Sequence, residues 1–460
     1  MKRALRKVSA TAVALGLAGA VAMGSAAAHA AALPKPRSEQ WWFTAWDIEN
    51  QVWQQSRGQG ITVAVVDTGV NANIPELRDV VLPGGDARHG YNTDGRTDTD
   101  RTDEGHGTEM AGLIASQGGP SGLVGIAPEV KILPVVTDGF PNTMGTAIRF
   151  AADHGAQVIN MSQASPYPGG CPGDVQAAVS YAIYKGSVVV AGMGNDGNTT
   201  NDIDFPASCG GVLGVGALTN QKLAWVRSER QPYVSVAAPG VQVGSVTKND
   251  TFNNSISGTS QASALTSGAV ALIRSKFPQL SPREVVQKVI NTTVDAGPPG
   301  HDNMTGSGAL VPIRALTQDV PKSAPNPTFD RLDQWRKENP TLDQKPKGAP
   351  AATSSAAASG KKSSSNSGLV IAIVVVAILV VIAILVVVVL LIRRGGGGSR
   401  RPVVQEQPFP GGPPQQQYPP TPRPYGGPQG PPTGDRPAGA RPQGPPPSFG
   451  PPQGPEGPQG

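Results

Sequence analysis

Between residues 60 and 317, short β-branched runs alternate with stretches whose apolar positions recur at helical spacing. The runs predict strands at Ile61–Asp67, Lys131–Val136, Gln157–Ser162, Ser187–Gly192, Val212–Leu218 and Val234–Ala237. The stretches between them predict helices at His106–Ser116, Met144–His154, Asp174–Lys185, Thr259–Lys276 and Pro282–Asn291. The last of these has a marked beginning: Ser281 as N-cap, Pro282 at the first helical position and Glu284 three residues after the cap. Runs such as Val188–Gly192 are apolar throughout instead of alternating, which suits a parallel sheet covered on both faces. The predicted class is α/β: a doubly wound, mostly parallel sheet with helices on both faces. Functional side chains are then expected beyond the carboxyl ends of the strands.

Two further apolar stretches fall outside this alternation. Lys2, Arg3, Arg6 and Lys7 precede the run Ala10–Met23, which leads to Ala28-His29-Ala30, the pattern of an export signal over residues 1–30. Leu369–Ile392 is 24 consecutive residues without a charged or polar side chain. At about 1.5 Å per residue, such a helix crosses a hydrocarbon core of roughly 30 Å. Arg393, Arg394, Arg400 and Arg401 follow at once. The positive-inside rule therefore puts the tail in the cytoplasm and the body outside it, so the expected location is the cell membrane with a single pass.

The expected organisation is a signal (1–30), a Trp-rich extension packing on the body (31–60), an α/β domain (61–317), a linker (318–368), the membrane helix (369–392) and a tail (393–460). Glu39–Gly60 holds four of the six tryptophans. So few residues before Asp67 cannot form an independent core, so no folding prodomain is expected to be removed. The first part of the linker, to about Lys347, is charged and expected to be partly ordered; the rest is Ala/Ser/Lys-rich and flexible. The tail is dominated by Pro, Gly and Gln and cannot bury a core.

The formal charge of +5 is small for 460 residues, and its basic residues are dispersed, so nucleic acid is not an expected partner. Cys171 and Cys209 fit an exported protein that keeps a disulfide, and they are expected to pair; the alternative is two buried thiols. Neither lies in a Cys-x-x-Cys or Cys/His cluster, and no metal or other cofactor is expected. The acid-rich stretch Asn92–Glu104 lacks the spacing of a calcium loop and reads as solvated.

Three segments carry candidate chemistry: VAVVDTGV (63–70), EGHGTEMAG (104–112) and ISGTSQASA (256–264). A serine hydroxyl is a weak nucleophile at neutral pH and needs a base within reach, which in turn needs an orienting acceptor. Asp67 ends a predicted strand, where a doubly wound sheet presents side chains to a crevice. His106 stands between two glycines at a helix start. Ser260 opens a helix of small residues, whose N-terminus points backbone N–H groups at a developing oxyanion. Taken singly, these are a turn residue, a surface imidazole and an N-cap. The order Asp…His…Ser, with AGMGND (191–196) between the second and third, distinguishes them.

In these motifs and their order the chain resembles the subtilases, and more narrowly the membrane-anchored mycosins associated with type VII secretion in actinobacteria. The resemblance implies a serine endopeptidase acting on protein or peptide substrates, with Asp67, His106 and Ser260 as triad and Asn195 as oxyanion donor. It also implies a first specificity pocket lined by Met161, Ser162, Gln163, Ala164 and Met193. Gln261, Ala264 and Leu265 replace the Met, Pro and His that many subtilases carry after the serine. The resemblance further implies association with a type VII secretion complex. A structural component of such a complex, with proteolysis secondary, is the alternative.

Overall fold

A computed structural model describes residues 34–254 and 256–343 of the chain. The expected export signal, the membrane helix and the cytoplasmic tail lie outside the described residues. Among those residues, no helix is long and apolar enough to cross a membrane.

The strands in chain order are β1 (Thr62–Asp67), β2 (Gly85–Asp86), β3 (Lys131–Val136), β4 (Val158–Met161), β5 (Ser165–Pro166), β6 (Val188–Gly192), β7 (Asp204–Phe205), β8 (Val212–Leu218), β9 (Val234–Pro239), β10 (Ser245–Val246) and β11 (Phe252–Asn253). The helices are α1 (Trp41–Ala45), α2 (His106–Ala115), α3 (Pro141–Asp153), α4 (Gly173–Tyr184), α5 (Thr259–Lys276), α6 (Pro282–Ile290), α7 (Pro312–Thr317) and α8 (Pro327–Glu338). Seven strands form one parallel sheet in the order β2-β3-β1-β4-β6-β8-β9. Strands β4, β6, β8 and β9 are buried at every position, as their uninterrupted apolar runs predict for a sheet covered on both faces. Helices α2 and α5 pack together, as do α3 and α4, and both pairs lie against the sheet.

The chain leaves β1 for β3 on one side and returns to β4 on the other. The order reverses at β1, so a crevice opens beyond its carboxyl end. Every predicted strand and helix is present within a few residues of its expected limits. The Ser281–Glu284 capping box at α6 is complete in both directions.

The N-terminal segment packs on the body. Trp42, Phe43 and Trp46 are buried, and Trp53 donates its indole N–H to the Ile126 carbonyl at 2.9 Å. Gln40 pairs with both backbone groups of Val124 (2.7 and 3.1 Å), much as a neighbouring strand would. At the other end, part of the expected linker is a helix of the body: α8 buries Phe329 and Leu332, and Arg331 donates to the Ser208 carbonyl at 2.9 Å. Cys171 and Cys209 form a disulfide, tying the start of α4 to the turn before β8.

Candidate active site

Asp67 closes β1 and is fully buried. Its Oδ1 accepts hydrogen bonds from the His106 ring at Nδ1 and from the Thr68 N–H, both at 2.8 Å. Burial pushes the His106 pKa down, but the Asp67 carboxylate opposes it through charge and hydrogen bond. The charges of Glu109 and Asp100 add to that, and the imidazole stands raised at about 9.

His106 is the first residue of α2, and the fixing of that helix fixes the ring. The backbone N–H of His106 donates to Asp100 Oδ2, that of Gly107 to Thr68 Oγ1 and that of Thr108 to Asp98 Oδ2, each at 2.9 Å. These are donors that a helix start leaves without intrahelical partners. Asp98 also accepts from the hydroxyls of Thr108 (2.6 Å) and Thr68 (2.8 Å), joining the loop after β1 to α2. Gly107 is required by close approach, since a Cβ there would run into the Gly69 carbonyl and crowd Asp67.

Ser260 is the second residue of α5, beneath the cleft that His106 and Asn195 also line. Its hydroxyl donates to the Ser162 carbonyl at 2.9 Å. Asn195 lies in the loop after β6, and its Oδ1 accepts from the Thr259 N–H (2.9 Å) and hydroxyl (3.2 Å). The amide is thereby held one residue from Ser260. The cleft has a volume of about 520 Å³. Ser162–Pro166 forms one wall and Gly194–Asp196 another, with Asp138, Gly139 and Asp204 also lining it.

These observations together describe a buried carboxylate, an imidazole and a serine brought to one crevice at a switch point, beside a side-chain amide. The subtilase family model matches residues 58–308. The chain belongs to the subtilase family. It is 33% identical to subtilisin DY of Bacillus licheniformis over 272 residues, covering 58% of this chain and 93% of that protein. To mycosin-3 of Mycobacterium tuberculosis it is 34% identical over 331 residues, covering 58% and 70% respectively. Among solved structures, the MycP3 protease from the type VII (ESX-3) secretion system matches with a TM-score of 0.54 and 34% identity, over 62% of this chain and 89% of that one. This subtilase is a serine endopeptidase related to the mycosins.

Of the residues expected to line the specificity pocket, Ser162, Gln163 and Ala164 line the cleft. Met161 and Met193 lie elsewhere. Both are fully buried and absent from the cleft. Met161 is the last residue of β4 and belongs to the sheet core, and Met193 Sδ packs toward Gly214, within 2.9 Å of where a Cβ there would stand. The acid-rich stretch Asn92–Glu104 is only partly a solvated loop, because Asp98 is buried and caps α2.

Three features of this subtilase were not apparent from its motifs. Asp98 and Asp100 hold the histidine helix. Asn160 in β4 is a hub: its Oδ1 accepts from Ser263 (3.1 Å) and Ser267 (2.9 Å) on α5, and its amide donates to Ser162 Oγ (3.0 Å). It registers the serine helix against the wall of the cleft. Asp204 and Glu229 form a buried carboxyl pair, of which Asp204 lines the cleft. The apolar setting of Asn160 and the distance of Glu229 from any motif left both without a signal in the sequence.

Proposed function

We propose that Ser260 attacks the peptide carbonyl, with His106 as general base, Asp67 as the acceptor that orients it and Asn195 as oxyanion donor. The observation that carries this reading is the 2.8 Å bond from His106 Nδ1 to the buried Asp67, in the cleft that Ser260 lines. With Nδ1 committed to Asp67, Nε2 is the nitrogen that serves the hydroxyl. Rotation about the Ser260 side chain carries its hydroxyl from the Ser162 carbonyl to that nitrogen. The proton then passes to His106 as the Oγ–carbon bond forms, and from His106 to the leaving amine as the peptide bond breaks. The oxyanion meets the Asn195 amide and the Ser260 N–H in the first turn of α5, the Thr259 N–H being taken up by Asn195 Oδ1. Ser162 and Gln163 contact the substrate.

The body acts outside the cytoplasm, exported through residues 1–30, anchored by 369–392 and working beside a type VII secretion complex. The apolar length of that segment, the arginines after it, the disulfide and the likeness to mycosins support this placement.

Ser260→Ala should lower kcat on a peptide substrate by about 10⁶, as in the subtilisin triad, and abolish labelling by a fluorophosphonate. Asn195→Ala should keep labelling at a reduced rate, with a loss of about 10²–10³ in kcat. Retained hydrolysis in the Ser260→Ala enzyme would refute the assignment.

A further inference from the structure

The cleft has a charge pattern that the triad does not use. Asp100, Asp138, Asp196 and Asp204 line it, and among the described residues no lysine or arginine does. Two arginines nearby are occupied elsewhere: Arg227 donates to the Asn195 carbonyl (3.3 Å) and Arg230 to the Gly197 carbonyl.

Asp204 stands apart from the other three. It opens β7, whose pairing with β5 (Pro166 opposite Asp204) fastens it to the Ser162–Pro166 wall. From the opposite wall, a Cβ at Gly194 (φ +113°) would lie 2.6 Å from Asp204 Oδ2 and 2.5 Å from Glu229 Oε1. The glycine lets both carboxyl groups pack against the backbone immediately before the oxyanion donor Asn195. Asp204 is 6% exposed and Glu229 1%. Asp204 Oδ1 has no hydrogen-bond partner among the described residues, although it is buried. A buried carboxylate oxygen without a partner is costly, and one on a residue that lines a binding cleft calls for a donor from the substrate.

We propose that Asp204 selects a lysine or arginine side chain on the residue whose carbonyl Ser260 attacks. That residue's side chain enters between the Ser162–Pro166 and Gly194–Asn195 walls, because its carbonyl oxygen is held by Asn195. Its cationic end then reaches Asp204 Oδ1. Glu229 maintains the charge there. Burial and the neighbouring charges of Asp204, Asp196 and Asp202 push Glu229 up, burial and the charges of Asp202 and Asp196 raise Asp204, and a hydrogen bond joins the two carboxyls, so that the pair shares a proton and keeps one negative charge. A metal ion is less well served, since no group of three potential ligands is found among the described residues. This inference rests on the peptidase reading above.

The test is kcat/KM of the full-length enzyme on p-nitroanilide tetrapeptides that differ only in the last residue, with active sites counted by fluorophosphonate labelling. Arginine and lysine substrates should exceed the leucine substrate by about tenfold or more, and Asp204→Asn should reduce that ratio by a similar factor. A fully labelled wild-type enzyme that prefers leucine overturns the proposal, even if the variant fails to fold. So does an unchanged ratio in a labelled Asp204→Asn enzyme. A preference that needs added calcium and disappears with chelator also overturns it. Absence of both labelling and cleavage for every peptide would instead refute the peptidase reading.

Discussion

At the residue scale, the imidazole is tuned by carboxylates in addition to its direct partner Asp67. Glu109, one helical turn beyond His106, is buried, and burial raises it to about 7 despite the opposing charge of His106. Its charge is one of those that hold His106 at about 9. A general base must be neutral to accept the serine proton, so kcat/KM should climb through the alkaline range toward pH 9 instead of levelling off near 6.5. Above pH 7 Glu109 is ionised and favours the imidazolium. Glu109→Gln removes that charge and should move the rising limb to lower pH. A profile of kcat/KM from pH 5.5 to 10, on a substrate with an uncharged side chain before the scissile bond, checks both statements. A limb that stays in place in the variant would show that Glu109 does not act on His106. The motifs made Asp67, His106 and Ser260 legible because each sits in a local context that fixes its backbone. Glu109 also lies within one of those motifs, yet its effect depends on burial, which no local pattern encodes.

At the element scale, α2 begins on a glycine N-cap with no side-chain bond, so its first turn relies on distant acceptors. Asp100, Thr68 and Asp98 serve three successive N–H groups, and the carboxylates of Asp100 and Asp98 also face the positive end of the helix. Asp98→Ala should cost about 0.5–2 kcal/mol by analogy with other cap deletions. It should also lower kcat in the fraction that remains folded, because the helix start that aims His106 is released. Asp98→Asn keeps one acceptor oxygen and should recover part of both losses. Thermal unfolding beside single-turnover rates separates the two effects; an Asp98→Ala enzyme with lowered Tm and unaltered kcat would reduce Asp98 to a purely stabilising role. The elements themselves were readable in advance, since their periods are local and the α6 capping box spans only four residues. What ties them together was not. Asn160 bonds Ser263 and Ser267 more than a hundred positions away, and an asparagine in an apolar strand gives no sign of which helix will cover it.

At the scale of the whole molecule, the question is where the catalytic body stops, and the composition of the chain misplaces that point. Pro, Lys and Asp beyond Thr317 suggest a linker, yet Phe329 is 2% exposed and Leu332 is fully buried against the β8 side of the sheet. Asp343 then accepts from Ser180 Oγ (2.6 Å) and the Tyr184 hydroxyl (2.7 Å), fastening the segment to α4. Burying a side chain of either kind is worth about 1.5–3 kcal/mol, and domains of this size have only some 5–15 kcal/mol in reserve. A chain ending at Asp343 should therefore keep the Tm and kcat/KM of the full-length enzyme. One ending at Thr317 should lose most of its stability, because two apolar sites would be opened to water beside the Cys171–Cys209 bridge. The same pair of chains tests the proposed anchor. The full-length protein should pellet with membranes and resist carbonate extraction, while the chain ending at Asp343 should remain in the supernatant with its activity intact. If both chains partition alike, residues 369–392 do not hold the enzyme to a membrane, and its localisation must come from a partner that binds the body itself.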